Sequence, residues 1–186
     1  KGLPILFDSL VQIKRSLPDV VLTVVGDGSD RALLEARVQQ LGLEETVQFV
    51  GYRSQAEVRA CLQETDVFVL PSFAEGVPVV LMEAMAAAVP VVATRIAGIA
   101  ELVEDGESGY LVPPGDAMAL AAAIEALLLD GERRSQFGRA GRATVEQAFN
   151  IHHEVAQLSR LFTSSSPTPM AFDSFTSGEI KTLESV

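Results

Sequence analysis

Asp66-Val-Phe-Val-Leu70-Pro-Ser-Phe-Ala-Glu75-Gly-Val-Pro-Val-Val80-Leu-Met-Glu83-Ala-Met-Ala-Ala-Ala-Val-Pro90-Val-Val-Ala-Thr94 is the stretch from which the fold can be read. It opens on a Val- and Phe-rich run of the kind that forms a buried strand. Pro71 stops that strand, and Ser72–Val77 is a loop carrying one carboxylate, Glu75, and one glycine, Gly76. Pro78 falls in the first turn of a helix, where a missing N–H costs nothing. The helix, Val79–Ala88, is apolar except for Glu83; Pro90 ends it, and Val91–Ala93 starts a second buried strand. Two carboxylates therefore lie in and just after a strand-to-helix turn. In so apolar a setting each needs a partner, because an unpaired buried charge is expensive.

The same alternation extends in both directions. Leu3, Leu6, Phe7, Leu10, Ile13 and Leu17 recur at helical spacing up to Pro18. Val20–Val25 is a β-branched strand closed by the turn Gly26-Asp27-Gly28. Ser29 and Asp30 are candidate caps for a helix Arg31–Leu41, which Gly42 stops. Val47–Val50 is a strand ending at Gly51, and Ser54 caps a helix that runs to Glu64, with Val58 and Leu62 inward. Beyond Thr94, Gly98 precedes a short helix Ile99–Glu104, and Tyr110–Val112 is the fifth strand. Asp116 caps Ala117–Leu129, and helices follow over about 132–149 and 152–162. Strands alternating with helices across short turns predict an α/β fold with a doubly wound parallel sheet. In such sheets ligands sit beyond the carboxyl ends of the strands. Here those ends are Gly26–Gly28, Gly51–Arg53, Pro71–Val77, Thr94–Gly98 and Pro113–Gly115. Residues 163–186 lack periodicity and read as a flexible tail after a domain of residues 1–162.

Composition narrows the function. The 186 residues are 48% hydrophobic with no Trp, so the core is built from aliphatic side chains, which suits a parallel sheet. A net charge of −11 argues against nucleic acid as a partner. It leaves room for a small phosphorylated ligand held by a helix N-terminus and one or two cations. One cysteine, Cys61, provides neither an internal disulfide nor a cysteine-based metal site, and it reads as a small core residue. No metal site is expected. Glu83 and two prolines interrupt the apolar run 77–94, and its helix is too short to span about 30 Å of hydrocarbon, so no transmembrane span is expected.

Most single features have two readings. Carboxylates accept well from paired sugar hydroxyls, yet Glu83 could equally pair with a buried Arg. Gly26-Asp27-Gly28 is a phosphate-facing turn or only a turn. The amides of Gly76 and Val77 lie at a helix mouth, where the dipole favours anions. Ala97-Gly98 could offer amides to an anion or merely start a helix. Lys1 could contact a phosphate or remain solvated. His152 and His153 are neighbours and cannot face one ligand from a helix.

Taken in order, Lys1-Gly2, Gly26-Asp27-Gly28, Val47-Gln-Phe-Val-Gly51, Asp66–Ser72, Glu75-Gly-Val-Pro-Val-Val-Leu-Met-Glu83-Ala-Met, Pro90-Val-Val-Ala-Thr94, Gly98-Ile-Ala-Glu101 and Gly106–Asp116 narrow the choice. The combination resembles the C-terminal, donor-binding half of a group 1 (family 4) glycosyltransferase of the GT-B fold, over about residues 1–162. The stretch 66–116 is its most specific part. The resemblance implies a retaining transferase using a nucleotide-diphosphate sugar (UDP-, GDP- or ADP-linked), with no obligatory metal. It implies that Glu75 lies against the donor sugar as the catalytic carboxylate and that Glu83 holds the ribose hydroxyls. The amides of Gly76 and Val77, beside Ser72 and Pro78, would meet the sugar. Lys1 would neutralise the leaving diphosphate, with Gly26, Gly28 and Gly98 nearby, and Val50 and Arg53 would flank the base. It further implies an N-terminal acceptor-binding domain as partner and a cytoplasmic or peripheral-membrane location. A non-catalytic nucleotide-sugar-binding module is the alternative.

Three positions depart from the family pattern. Ala88 stands where a glycine is usual, Ala97 replaces the first of a Gly-Gly pair, and Ala100 replaces a proline. The resemblance implies that the family's diphosphate-binding arginine is expected upstream of Lys1. So is a first strand that the 3-2-1-4-5-6 order places at the centre of the sheet, between Val20–Val25 and Val67–Leu70. The expected sheet is therefore one with its first strand missing and two strand edges unpaired.

Overall fold

A computed structural model describes residues 1–148 and Ser159. Contacts divide the chain into Lys1–Asn150 and Ile151–Val186, and the following concerns the first unit. The expected helix over 152–162, His152 and His153, and the 163–186 tail lie outside the described residues, apart from the helical Ser159.

The elements alternate as the sequence predicts. In order they are α1 (Leu3–Ser16), β1 (Leu22–Val25), α2 (Arg31–Gln40), β2 (Val47–Gly51), α3 (Gln55–Gln63), β3 (Phe68–Leu70), α4 (Val79–Ala86), β4 (Val91–Thr94), α5 (Ala97–Ala100), β5 (Gly109–Val112), α6 (Ala117–Leu129) and α7 (Gly131–Ala148). All strand pairs are parallel, and they form two ladders, β1-β2 and β3-β4-β5. No ladder joins β1 to β3 among the described residues.

Strand periodicity explains how the larger ladder is buried on both faces. On β4 every residue is buried. Val92 enters a core shared with Leu6, Phe7, Leu10 and Ile13 of α1 and Leu120, Ile124 and Leu127 of α6. Its neighbours Val91 and Ala93 enter a second core with Leu81, Ala84 and Met85 of α4, Ile99 and Leu102. On β5, Val112 joins the first core and Leu111 the second. The sheet is doubly wound as expected, and Cys61 is half-buried rather than a core residue.

Several local expectations are corrected. Pro78 is the N-cap of α4 rather than a first-turn residue, with extended φ and ψ. Gly98 lies inside α5, whose N-cap is Ile96, because its packing and not its turn-forming freedom sets its place. Asp30 precedes α2 but caps nothing with its side chain, since its backbone is not extended (φ −89°, ψ 1°), and its carboxylate accepts from the Ser29 hydroxyl instead. By contrast Ser54 opens α3 with a full capping box with Glu57, and Asp116 accepts the Ala119 amide as predicted.

The end of α4 carries a strained residue. The Val89 amide donates to the Ala84 carbonyl and the Ala88 amide to Met85, the bonding pattern of a Schellman cap. The end of α2 uses the same pattern, with Leu43 to Val38 and Gly42 to Gln39. There the left-handed residue is Gly42 (φ 66°), whereas in α4 it is Ala88 (φ 58°), the only non-glycine with positive φ among the described residues. A left-handed alanine costs about 1–2 kcal/mol, partly offset by its lower unfolded-state entropy. Ala88→Gly is therefore expected to stabilise the chain by about 0.5–1 kcal/mol, a rise of about 1–4 °C in melting temperature by calorimetry. An unchanged or lowered midpoint would contradict the strain.

Candidate functional site

The carboxyl ends of β3 and β4 bring one set of predicted residues together. β3 ends at Leu70, and its chain turns through Pro71 and Ser72, both buried. Gly2 packs directly on this turn: a Cβ at Gly2 would lie 1.9 Å from the Pro71 carbonyl oxygen. That contact delivers Lys1 to Glu75, where the two side chains form an ion pair. Ser72 Oγ donates to the same carboxylate oxygen, Glu75 Oε1, at 2.7 Å. Thr94 at the end of β4 donates its hydroxyl to the Ser72 carbonyl. Four residues beyond Thr94, Gly98 packs against Gly76 of the loop, with a Cβ at Gly98 only 1.9 Å from the Gly76 carbonyl oxygen and 3.0 Å from the Val77 nitrogen.

The loop so held presents unengaged donors. No described residue accepts a hydrogen bond from the amides of Gly76 or Val77, and both residues are exposed. Val77 and Phe73 add an apolar rim, 42% and 55% exposed.

The two carboxylates differ. Glu75 has a side chain only 12% exposed, against 68% for Lys1. Burial pushes its pKa up, but the hydrogen bonds from Lys1 and Ser72 and the charge of Lys1 outweigh burial and hold it below the usual carboxylate range. Glu83 lies on α4, half-buried; its backbone carbonyl accepts the Ala87 amide, and among the described residues no side chain or amide pairs with its carboxylate. Of the two carboxylates that the sequence leaves in need of partners, one finds its partners among the described residues and the other does not.

The depressed Glu75 pKa has a sign that can be checked. A carboxyl whose folded pKa lies below its unfolded value stabilises the fold above about pH 4.3 and loses that contribution as pH falls through the folded value. Because Lys1 is largely exposed, the contribution is at most about 1 kcal/mol. Wild type is thus expected to lead Glu75→Gln in melting temperature at pH 6 and to lose that lead below pH 4. Parallel pH profiles would contradict the pairing.

A second set gathers at the ends of β1 and β2. The Gly26 amide donates to the Gly51 carbonyl at 2.9 Å, joining two predicted turns. Gly28 is exposed, its amide turned onto Asp27 Oδ1. Arg31, which sequence reasoning overlooked, lies over the Phe49 ring and reaches Glu35, Asp27 and the Phe49 carbonyl. Val50 is half-buried, Tyr52 is 83% exposed, and Arg53 lies 3.9 Å from Glu57. No hydrogen bond or ion pair links Gly26, Gly28, Val50 or Arg53 to Lys1 or Glu75 among the described residues. Gly2 and Thr94 stand in quoted motifs, but their contacts span the chain and leave no local signal. Among the described residues no His, Cys, Asp and Glu gather as a metal site, and no helix is long and apolar enough to cross a membrane.

Residues 1–144 match the family model described as "Glycosyl transferases group 1". The chain belongs to this family. The amylovoran biosynthesis glycosyltransferase AmsK of Erwinia amylovora is 38% identical over 167 residues, covering 87% of this chain and 41% of that protein. The phosphatidyl-myo-inositol mannosyltransferase of Mycobacterium leprae is 38% identical over 148 residues, covering 79% and 39%. Among solved structures, Anabaena Alr3699/HepE in complex with UDP and glucose is similar with a TM-score of 0.80 at 31% identity, covering 88% of this chain and 45% of that one. The C-terminal domain of the group 1 family protein LpcC from Francisella tularensis is similar with a TM-score of 0.71 at 26% identity, covering 81% and 80%. This group 1 chain thus has the Rossmann-like architecture of a GT-B C-terminal domain, and it spans about two-fifths of the length of the curated relatives it matches.

Proposed function

We propose that this chain is the donor-binding domain of a retaining glycosyltransferase that uses a nucleotide-diphosphate sugar. The observation that carries the reading is the grouping of Lys1, Ser72 and Glu75 with the unengaged amides of Gly76 and Val77 at the ends of β3 and β4. A cation beside a carboxylate next to free donors suits a ligand that has both a diphosphate and hydroxyls. Lys1 would turn to the diphosphate and stabilise it as the leaving group. Glu75 would lie against the sugar as the catalytic carboxylate, and the Gly76 and Val77 amides would meet its hydroxyls. Glu83, whose carboxylate is unpaired among the described residues, would accept both ribose hydroxyls. Val50 and Arg53 would flank the base, and Gly26, Gly28, Pro78 and Gly98 would shape the backbone around the diphosphate. The reading is supported by a similar solved structure, HepE, that is seen with UDP and glucose. In this reading the acceptor is bound by a separate N-terminal domain of the whole protein.

The test is calorimetric titration of the folded chain with UDP-glucose, ADP-glucose and GDP-mannose. One nucleotide is expected to bind at least about tenfold more tightly than the others, a difference of 1.4 kcal/mol. No binding of any of the three at millimolar concentration would sink the proposal. For the enzyme, proton NMR of the product anomer tests retention. Binding without transfer or donor hydrolysis in the whole protein would favour the non-catalytic module, which the Ala97 methyl group favours by standing where a glycine is usual.

A further inference from the structure

We propose that Thr94 is a positioning residue for Glu75 and acts on it through Ser72. This rests on the reading of Glu75 as the carboxylate beside the donor sugar. The last residue pair of the β3-β4 ladder is Leu70 with Ala93, so the carbonyl of Ser72 lies beyond the reach of that ladder. It receives its donor from a side chain instead, the hydroxyl of Thr94, which is 2% exposed. Ser72 is itself fully buried and has its hydroxyl on Glu75 Oε1. The connection therefore runs from the buried central strand of the larger ladder through one backbone carbonyl and one hydroxyl to the largely buried Glu75 carboxylate.

The geometry leaves Glu75 little other support. Its remaining hydrogen-bond partner is Lys1, a long and exposed side chain that can swing. When Lys1 turns to a diphosphate, the Ser72 hydroxyl is what keeps the carboxylate oriented, and Thr94 is what keeps Ser72 in place. The far end of the loop is fixed separately by the packing of Gly98 on Gly76, so Thr94 governs the near end. A valine at 94 keeps the shape and removes the donor, and a serine keeps the donor.

The experiment uses the 186-residue chain as wild type, Thr94→Val, Thr94→Ser and Ser72→Ala, with UDP and UDP-glucose as probes. The first readout is the titration of the Glu75 carboxyl by carbon-13 NMR without nucleotide. The groups facing this carboxyl are Lys1, the chain's amino group and the Ser72 hydroxyl. Thr94→Val is expected to raise the Glu75 pKa to the value seen in Ser72→Ala, and Thr94→Ser to keep the wild-type value. The second readout is the ratio of the UDP and UDP-glucose dissociation constants. Thr94→Val is expected to reduce the gain from the glucose by about tenfold and leave UDP affinity unchanged. A residue that only satisfied a buried carbonyl would lower the melting temperature and move neither readout, and that result overturns the proposal. If Thr94→Val does not fold, Ser72→Ala decides, because an unchanged Glu75 titration there breaks the link. Failure of the wild type to bind UDP-glucose sinks the donor reading alone, since the titration needs no nucleotide.

Discussion

Gly98→Ala is expected to disrupt the loop 72–77 and with it donor binding. The added Cβ would lie 1.9 Å from the Gly76 carbonyl oxygen and 2.3 Å from its carbon. Both are backbone atoms, so no side-chain rotation relieves the contact, and either α5 or the loop must move. Overpacking of this kind costs about 1–3 kcal/mol, a fall of about 2–12 °C in melting temperature. The shift falls on the amides of Gly76 and Val77 and on Glu75, so UDP-glucose affinity should drop by more than the loss of stability alone explains. Gly76→Ala is the control, because nothing lies within 4 Å of a Cβ there and its melting temperature should stay near wild type. A Gly98→Ala protein with unchanged melting and affinity would show that the two backbones are not in contact.

Glu83→Ala should weaken nucleotide binding by about 1.5–3 kcal/mol, the worth of hydrogen bonds to a charged group, which is roughly ten- to 150-fold in dissociation constant. The same change should leave stability within about 0.5 kcal/mol of wild type, since no group among the described residues pairs with the Glu83 carboxylate. That separation between affinity and stability distinguishes a ligand-facing carboxylate from a structural one. Affinity that survives the substitution in a folded protein would refute the ribose role. Loss of stability would instead reveal an internal partner.

The contrast between the two carboxylates shows how far the sequence could be read. Both stood in an apolar stretch, and the spacing treated them alike. The elements around them were legible because strand and helix signals are local: Val91, Val92 and Ala93 alternate between two cores, and Ser54 and Glu57 bond across three residues. The caps that failed were those in which local chemistry competed with the fold, as at Asp30, where a turn backbone withheld the capping geometry. Pro78 and Gly98 were placed within a residue or two of their helix ends, but their packing was not foreseen.

By itself the sequence determined the alternation of strands and helices, the parallel class of the sheet and the family. Each of these depends on residues close together in the chain, where hydrogen bonds and hydrophobic period act over one or two turns. Only the tertiary structure decided which carboxylate is paired. Lys1 meets Glu75 across 74 positions and Thr94 meets Ser72 across 22, and Gly98 meets Gly76 by backbone contact. Such contacts exist because parallel strands bring their carboxyl ends side by side, and no periodicity in the sequence records which neighbours that will join.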